Sequence, residues 1–420
     1  MIRTFLTGNI VLMVVNLFVG ILTTRLIGPT GRGIVALAIV WASIATYCLN
    51  CNVPVATSYF IPRMREAQRP RFVASVLLFA FVIGLIISGS FYALAPYIIR
   101  KDAMPYLIFM RQYILLAPIF ALSDMSNNLL LAFKDNPFWS GVRVIQPIVT
   151  GVGLIFCLSV SHLTVPVALF LNGLSITITT FVMLGRLYCL VPFALPGELG
   201  LFWETLKYGL KSHATSLASA LNGILDQLLI GSFIGAKELG LYSVAVNYTN
   251  LLSPVSTSLV VGTLPHLANM EILERKKAAL AMSRKARSFL TLCALGLLML
   301  APIIPIVYKK EFAPSLGMAI ILLPGVLLRA NTGVLIRIIL AFNQPLKSSF
   351  IEIIGLSVTA LALAIFLPVY GAYGAAIAST LSYASSGVVA TRVASHVLQV
   401  QTAALLTMGW RPVKQEKVLG

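Results

Sequence analysis

Long apolar stretches separated by short polar ones run the length of this chain. Nearly every apolar stretch approaches or exceeds the ~20 residues that a helix needs to cross a bilayer. Twelve spans are predicted: 5–24, 34–54, 72–96, 112–132, 143–160, 164–185, 209–233, 241–262, 288–307, 316–340, 350–367 and 372–391. The first, from Phe5 to Thr24, sits where a signal peptide would, but it lacks a small-x-small cleavage site and reads as a span. No polar stretch is long enough for a soluble enzyme domain.

The pattern repeats itself 207 to 209 residues later. Leu26-Ile27-Gly28, Gly33 and Ala38 recur as Phe233-Ile234-Gly235, Gly240 and Ala245. Ala95-Pro96-Tyr97 before Arg100-Lys101 recurs as Ile304-Pro305-Ile306 before Lys309-Lys310. Leu131-Ala132-Phe133 before Asn136-Pro137 recurs as Leu340-Ala341-Phe342 before Gln344-Pro345. Six spans fall in each half, and an even number lets the second copy keep the orientation of the first. The predicted fold class is therefore an all-α polytopic membrane protein: twelve transmembrane helices in two six-helix lobes, related by a pseudo-twofold axis along the membrane normal. The expected divisions are an N-terminal lobe at 1–200, a C-terminal lobe at 201–398 and a cytoplasmic tail at 399–420. Repeats of this kind belong to carriers that rock one half against the other around a central site.

Composition sharpens the picture. Of 420 residues, 58% are hydrophobic and only 10% charged, and the mean hydropathy is +0.93; ordinary soluble domains carry roughly 25% charged residues. The formal charge of +18 would suggest nucleic acid in a soluble chain. Here the basic residues lie between apolar spans, which excludes that partner. Their distribution sets orientation instead. Arg63, Arg65, Arg69 and Arg71 follow span 2, and Arg275, Lys276, Lys277, Arg284, Lys285 and Arg287 follow span 8. Arg186, Lys207, Lys347, Arg392, Arg411, Lys414 and Lys417 add to the same side, against Arg25, Arg32, Arg100, Lys101, Lys237, Lys309 and Lys310 on the other. Both termini are thus expected in the cytoplasm, with the bacterial inner (plasma) membrane as the location. The charged segment from Glu271 to Arg287 reads either as an amphipathic helix against anionic headgroups or as a solvated loop.

Candidate chemistry is sparse. Cys48, Cys51, Cys157, Cys189 and Cys293 lie in or beside apolar stretches and read as small buried hydrophobes, although Cys48 and Cys51 form a C-x-x-C. His162, His213, His266 and His396 are scattered without metal spacing, so no metal or cofactor is expected. No nucleophile–base arrangement is visible, and an enzyme is not expected. The glycine-rich run from Arg25 to Gly33 reads as a tight turn; it has neither the preceding strand nor the G-K-[ST] of a nucleotide loop.

Charges inside spans are costly and therefore informative. Asp124, Asp226 and Arg329 lie within spans; Arg111, Arg143, Lys211, Arg337 and Glu352 lie nearer their ends. Snorkelling to the interface is the alternative for Arg337, Lys211 and Arg111, and a static ion pair is the alternative for Asp226. If all eight share a chamber, its cations (Arg111, Arg143, Lys211, Arg329, Arg337) outnumber its anions and draw in an anionic substrate. Arginine matches phosphate with a planar fork of donors. Asp124, Asp226 and Glu352 are the candidate ion-coupling or gating groups. Asn127 and Asn128 extend the polar face of Asp124 in span 4, matched in depth by Asn331 and Thr332 in span 10, while Asn16, Asn222 and Asn247 add uncharged polar groups read mainly as helix–helix contacts.

Arg25-Leu26-Ile27-Gly28-Pro29 with Gly31-Arg32-Gly33, followed a span later by Asn52-Val53-Pro54, resembles the N-terminus of Wzx-type polysaccharide-unit flippases of the multidrug/oligosaccharidyl-lipid/polysaccharide exporter superfamily. Leu225-Asp226-Gln227-Leu228-Leu229-Ile230-Gly231, Gly235, Leu239-Gly240-Leu241-Tyr242 and Gly371-Ala372-Tyr373-Gly374-Ala375-Ala376 extend the likeness across the chain. The resemblance implies two six-helix lobes around a cavity opened alternately to each face. It implies a polyprenyl-diphosphate-linked oligosaccharide as substrate, for O-antigen, capsule or exopolysaccharide, with membrane lipids, a coupling ion (H⁺ or Na⁺) and a polysaccharide polymerase as partners. Asp226 matches the family's aspartate in span 7, and Arg329 is placed as a cavity cation. Two rival functions are a cation-coupled drug antiporter, which predicts an acidic cavity, and a membrane-embedded polymerase or ligase, which predicts a large external loop that is missing here. Span 1 also lacks the carboxylate usual in drug exporters, having only Asn16.

Overall fold

The computed structural model describes the backbone of residues 2–159, 163–261 and 270–407, and the side chains of these except at 2–11, 98 and 258–261. His162, His266, Arg411, Lys414, Lys417 and the expected tail beyond Thr407 lie outside the described residues.

The described chain is helical, without a strand. In order the helices are α1 (Ile2–Leu49), α2 (Val53–Phe60), α3 (Arg69–Ile98), α4 (Leu107–Ile114), α5 (Ala117–Ala132), α6 (Asn136–Ser159), α7 (Val165–Leu190) and α8 (Leu199–Leu229). They continue as α9 (Ala236–Thr249), α10 (Leu252–Val261), α11 (Ile272–Leu300), α12 (Ile304–Tyr308), α13 (Ala313–Ala341), α14 (Pro345–Leu398) and α15 (Thr402–Leu406). Proline stands in the first turn of α2, α3, α5, α7, α12, α13 and α14, where its missing N–H removes no intrahelical bond.

Among the described residues eight helices are long and apolar enough to cross a membrane, or nine if α4 and α5, bent by 48°, form one span. This is fewer than the expected twelve, because α1 and α14 each run two expected spans together across a kink and the expected span 241–262 falls on two shorter helices, α9 and α10. The kinks fall at Gly28 (φ 70°, ψ −179°) and Gly371 (φ 55°, ψ −135°). The glycine-rich segment read as a tight turn is thus helical on both sides of one residue. The charged segment from Glu271 is helical too, as the first turns of α11, so the solvated-loop reading is set aside.

The chain divides into two compact units, Val11–Gly240 and Leu241–Gly420 with Met1–Ile10. In the first, α3, α5 and α7 bury Phe72, Val76, Met125, Leu129 and Leu187 against one another. Helix α8, expected to open the second lobe, packs here on α2 and α3. In the second, α13 lies along α14, and Leu290, Val334, Ile338, Ile351 and Ala390 form the core. There Arg284 of α11, only 7% exposed, donates from Nε to the carbonyl of Ala404 in α15 at 2.7 Å. Large apolar side chains such as Phe156, Phe181, Leu361 and Ile365 are exposed, as lipid-facing positions require.

The sequence repeat returns as repeated backbone geometry. Gly28 and its counterpart Gly235 both take positive φ with extended ψ. After α5, Lys134 is left-handed (φ 61°), and the amides of Phe133, Lys134 and Asp135 donate to the carbonyls of Leu129, Leu131 and Leu130. After α13, Asn343 is left-handed (φ 56°), and Phe342, Asn343 and Gln344 donate to Ile338, Leu340 and Ile339. Each is a Schellman-type ending, in which a left-handed residue lets the next amides reach back to orphaned carbonyls. The Ala103-to-Arg100 bond likewise matches Phe312 to Lys309, both at 3.0 Å.

Inside the first unit two repeated segments also cross each other. A methyl at Gly33 would lie 1.6 Å from the carbonyl oxygen of Ala236, and one at Gly240 would lie 1.8 Å from that of Pro29. The contact is reciprocal, residue for residue, and only backbone can give way. Overpacking ordinarily costs about 1–3 kcal/mol, and here neither side chain nor rotamer can absorb it. Gly33→Ala and Gly240→Ala are each expected to abolish accumulation of folded protein in membranes. Gly20→Ala, where a methyl meets open space, should leave it unchanged. Fluorescence-detected size exclusion of detergent extracts checks both outcomes.

Candidate functional site

Helix α5 begins at a break. Its partner α4 ends at Ile114, and the bend between them lets α5 present Asp124, Asn127 and Asn128 at helical spacing i, i+3 and i+4, on one face. That face borders a cavity of about 580 Å³ inside the first unit. Five other helices or helix segments complete its wall: Asn16 and Tyr47 from the two arms of α1, Tyr113 from α4, Arg143 and Gln146 from α6, and Asn172 from α7.

Asp124 is held by amides. Asn50 Nδ2 donates to its Oδ2 at 3.3 Å and Asn128 Nδ2 to its Oδ1 at 3.2 Å. Arg143 is positioned by an aromatic ring, its Cζ standing 4.7 Å from the centroid of Trp139. That indole is anchored in turn, because Nε1 donates to Asn127 Oδ1 at 2.7 Å. Across the cavity the Tyr113 hydroxyl donates to Asn172 Oδ1 at 2.8 Å. The charged side chains of the lining are one carboxylate and one guanidinium, so it is balanced. Amides and phenols both donate and accept, so the wall suits a solute rich in hydroxyl groups.

Of the eight ionic positions read from the sequence, Asp124 and Arg143 share this cavity. Arg111 of α4 instead stacks on Tyr92, with Cζ 4.4 Å from the ring centroid. Lys211 is exposed on α8. Asp226, also on α8, is 4% exposed, and its Oδ1 accepts from the Gln227 amide at 2.7 Å. In the second unit Arg329 Nη1 donates to the Tyr383 hydroxyl at 2.7 Å, and its Cζ lies 4.8 Å from that ring's centroid. Arg337 and Glu352 are half-buried on α13 and α14. An expectation that all eight line one basic chamber does not describe this cavity. Tyr47, Tyr113, Gln146 and Asn172 are lining residues that the sequence did not single out; their only signal is polarity within an apolar span. Among the described residues, no three His, Cys, Asp or Glu side chains converge as a metal site.

Known structures share this fold. A multidrug resistance MATE family transporter of the MOP superfamily, in its inward-facing conformation, superposes with a TM-score of 0.76 at 16% identity, over 96% of this chain and 99% of that one. The lipid II flippase MurJ, inward closed, gives 0.71 at 15% identity, over 96% and 89%. A MATE transporter in the outward-facing conformation gives 0.69 at 17% identity, over 96% of each. No curated protein is matched by the sequence.

Removing the Tyr113 hydroxyl leaves the Asn172 carbonyl oxygen without its donor. Tyr113→Phe is expected to lower stability by about 0.6–2 kcal/mol, seen as an earlier thermal transition in detergent without loss of folding.

At the level of sequence, residues 3–271 match the model of one family, described as polysaccharide biosynthesis protein. Its match, the repeated helical pattern and the fold shared with these structures agree: this chain is a multi-pass membrane protein of the polysaccharide biosynthesis protein family.

Proposed function

We propose that this chain is a flippase, not an enzyme, carrying polyprenyl-diphosphate-linked oligosaccharide across the bacterial inner membrane by alternating access, for surface polysaccharide synthesis. The observation that carries the reading is the cavity of the first unit. Its amides, phenols and hydroxyls surround one carboxylate and one guanidinium, which is the chemistry of sugar recognition. Family membership and the likeness to MurJ support a lipid-linked substrate. In this reading the saccharide passes through water-accessible space while the lipid tail stays in the bilayer. Arg143 meets sugar oxygens, and Arg329, braced by Tyr383, meets the diphosphate. Asp124 and Asp226 serve ion coupling or gating, with H⁺ or Na⁺ as the ion. Twelve spans in two lobes, with both termini in the cytoplasm, complete the reading, and a polysaccharide polymerase is the downstream partner.

One observation favours a second reading, drug–cation antiport: the MATE transporters share the fold, and Asp124 gives the first-unit cavity a carboxylate. Arg143 in the same lining weighs against it, because a guanidinium repels an organic cation.

Deleting the gene is expected to abolish the surface polysaccharide, to accumulate its lipid-linked precursor on the cytoplasmic leaflet, and to leave drug susceptibility unchanged. Increased drug sensitivity with normal polysaccharide would reverse the assignment. In complemented strains Arg143→Ala and Arg329→Ala should each cut export by about tenfold or more, the loss of one charge-assisted contact. Lys211→Ala should not. Pulse labelling of the polysaccharide measures all three.

A further inference from the structure

The first helix pair ends in an unusual turn. Beyond Leu49 the chain passes Asn50, Cys51 and Asn52 before α2 begins, and both Cys51 (φ 51°) and Asn52 (φ 55°) are left-handed. Two successive side-chain-bearing residues seldom adopt this conformation, so something must hold it. Asn50 does so with both ends of its amide. Its Oδ1 accepts the Asn52 backbone N–H at 2.9 Å, which leaves Nδ2 to face Asp124 Oδ2. Asn52, buried, then donates from Nδ2 to Ser212 Oγ of α8 at 2.8 Å. Beside it His213 Nε2 donates to the Cys48 carbonyl at 3.1 Å. Helix α8 comes so close that a methyl at Gly209 would lie 2.5 Å from the Cys51 carbonyl oxygen. The hydrogen bonds therefore run unbroken from the cavity carboxylate to α8.

From this chain we infer that Asn50 and Asn52 are positioning residues that transmit the protonation state of Asp124 to α8. The inference deepens the transport reading and rests on it. Asp124 Oδ2 accepts the Asn50 amide hydrogen, so the turn is held by a charge-assisted bond while the carboxylate is ionised. A proton on Asp124 turns this into a neutral bond of about half the strength. The outer anchor of Asn50 then weakens and the left-handed turn loosens, easing the face on which Gly209 and Ser212 of α8 rest. The other titratable groups lining the cavity are Tyr47 of α1, Tyr113 of α4 and Arg143 of α6. Those at the turn are Cys48, Cys51 and His213 of α8. Ion uptake at the cavity and movement of α8 become one event.

Cys51 sits on the turn and reports on it. With Cys48, Cys157, Cys189 and Cys293 replaced by serine, its modification by N-ethylmaleimide is followed in native membrane vesicles across the acid-to-alkaline range. Dividing the Asp124→Asn rate by the Asp124 rate cancels the ionisation of the thiol itself. The ratio is expected to be about fivefold at alkaline pH, where a charged anchor is replaced by a neutral one, and to fall to about one at acid pH. Asn50→Leu should label at the fast Asp124→Asn rate throughout, as should the milder Asn50→Ser, which is too short to bridge, and Gly209→Ala, which wedges the turn from the side of α8. A flat ratio, or a pH step that survives Asn50→Ser, overturns the relay. No saccharide is present in this assay, so that result is independent of the export experiment, which alone decides the transport reading.

Discussion

A peptide group inside hydrocarbon finds no water, so each N–H and C=O must be answered from within the protein. This constraint is visible at several breaks in the helices of the described residues. After α5 and α13 the freed carbonyls are taken up by amides that a left-handed residue swings back. At the start of α9 the Ala236 amide is answered by Asp102 at 2.9 Å, while Arg100 reaches the Phe233 carbonyl. A turn of π-helix from Ile230 to Ile234 closes with the Gly235 amide on the Ile230 carbonyl. Arg284 performs the same service for α15.

Other polar side chains line the cavity of the first unit. Asp124 has both roles: it borders the cavity, and through Asn50 it also supports a strained turn. The cavity's balance of one cation and one anion matters for the same reason. A lone carboxylate there would be tuned to attract cations, whereas one accompanied by Arg143 leaves hydrogen bonding to decide what enters.

Much of the fold was legible because hydrophobic length and repetition survive without knowledge of packing. Every expected span falls on largely helical chain as far as residues are described, although 112–132, 241–262 and 288–307 each run over two helices with a break between them. Two of the three repeated motifs mark turns with matching hydrogen bonds, and the third marks a pair of positive-φ glycines. Span counting was harder. Gly28 and Gly371 kink the chain without a loop, so helix length alone does not separate the segments they join. The site was less readable. A polar residue in an apolar span contributes equally to glue, repair and lining, and one sequence does not say which way it faces. Asp124 and Arg143 stood out because charge in a span is expensive. Tyr47, Tyr113, Gln146 and Asn172 carry no such flag. Arg111 and Lys211 had the same flag as Arg143, yet one lies on the Tyr92 ring and the other is exposed.

The crossing of Gly33 and Gly240 has a meaning beyond packing. Each glycine approaches the carbonyl four residues before its counterpart, the self-complementary pattern of an isologous contact between identical chains. In a half-length polypeptide pairing with its own copy, a single glycine would satisfy both sides at once. Once two copies share one chain, the two positions inherit the requirement separately. Relaxing it at one place brings no relief at the other, so a descendant can diversify almost everything around this point except the pair of missing side chains.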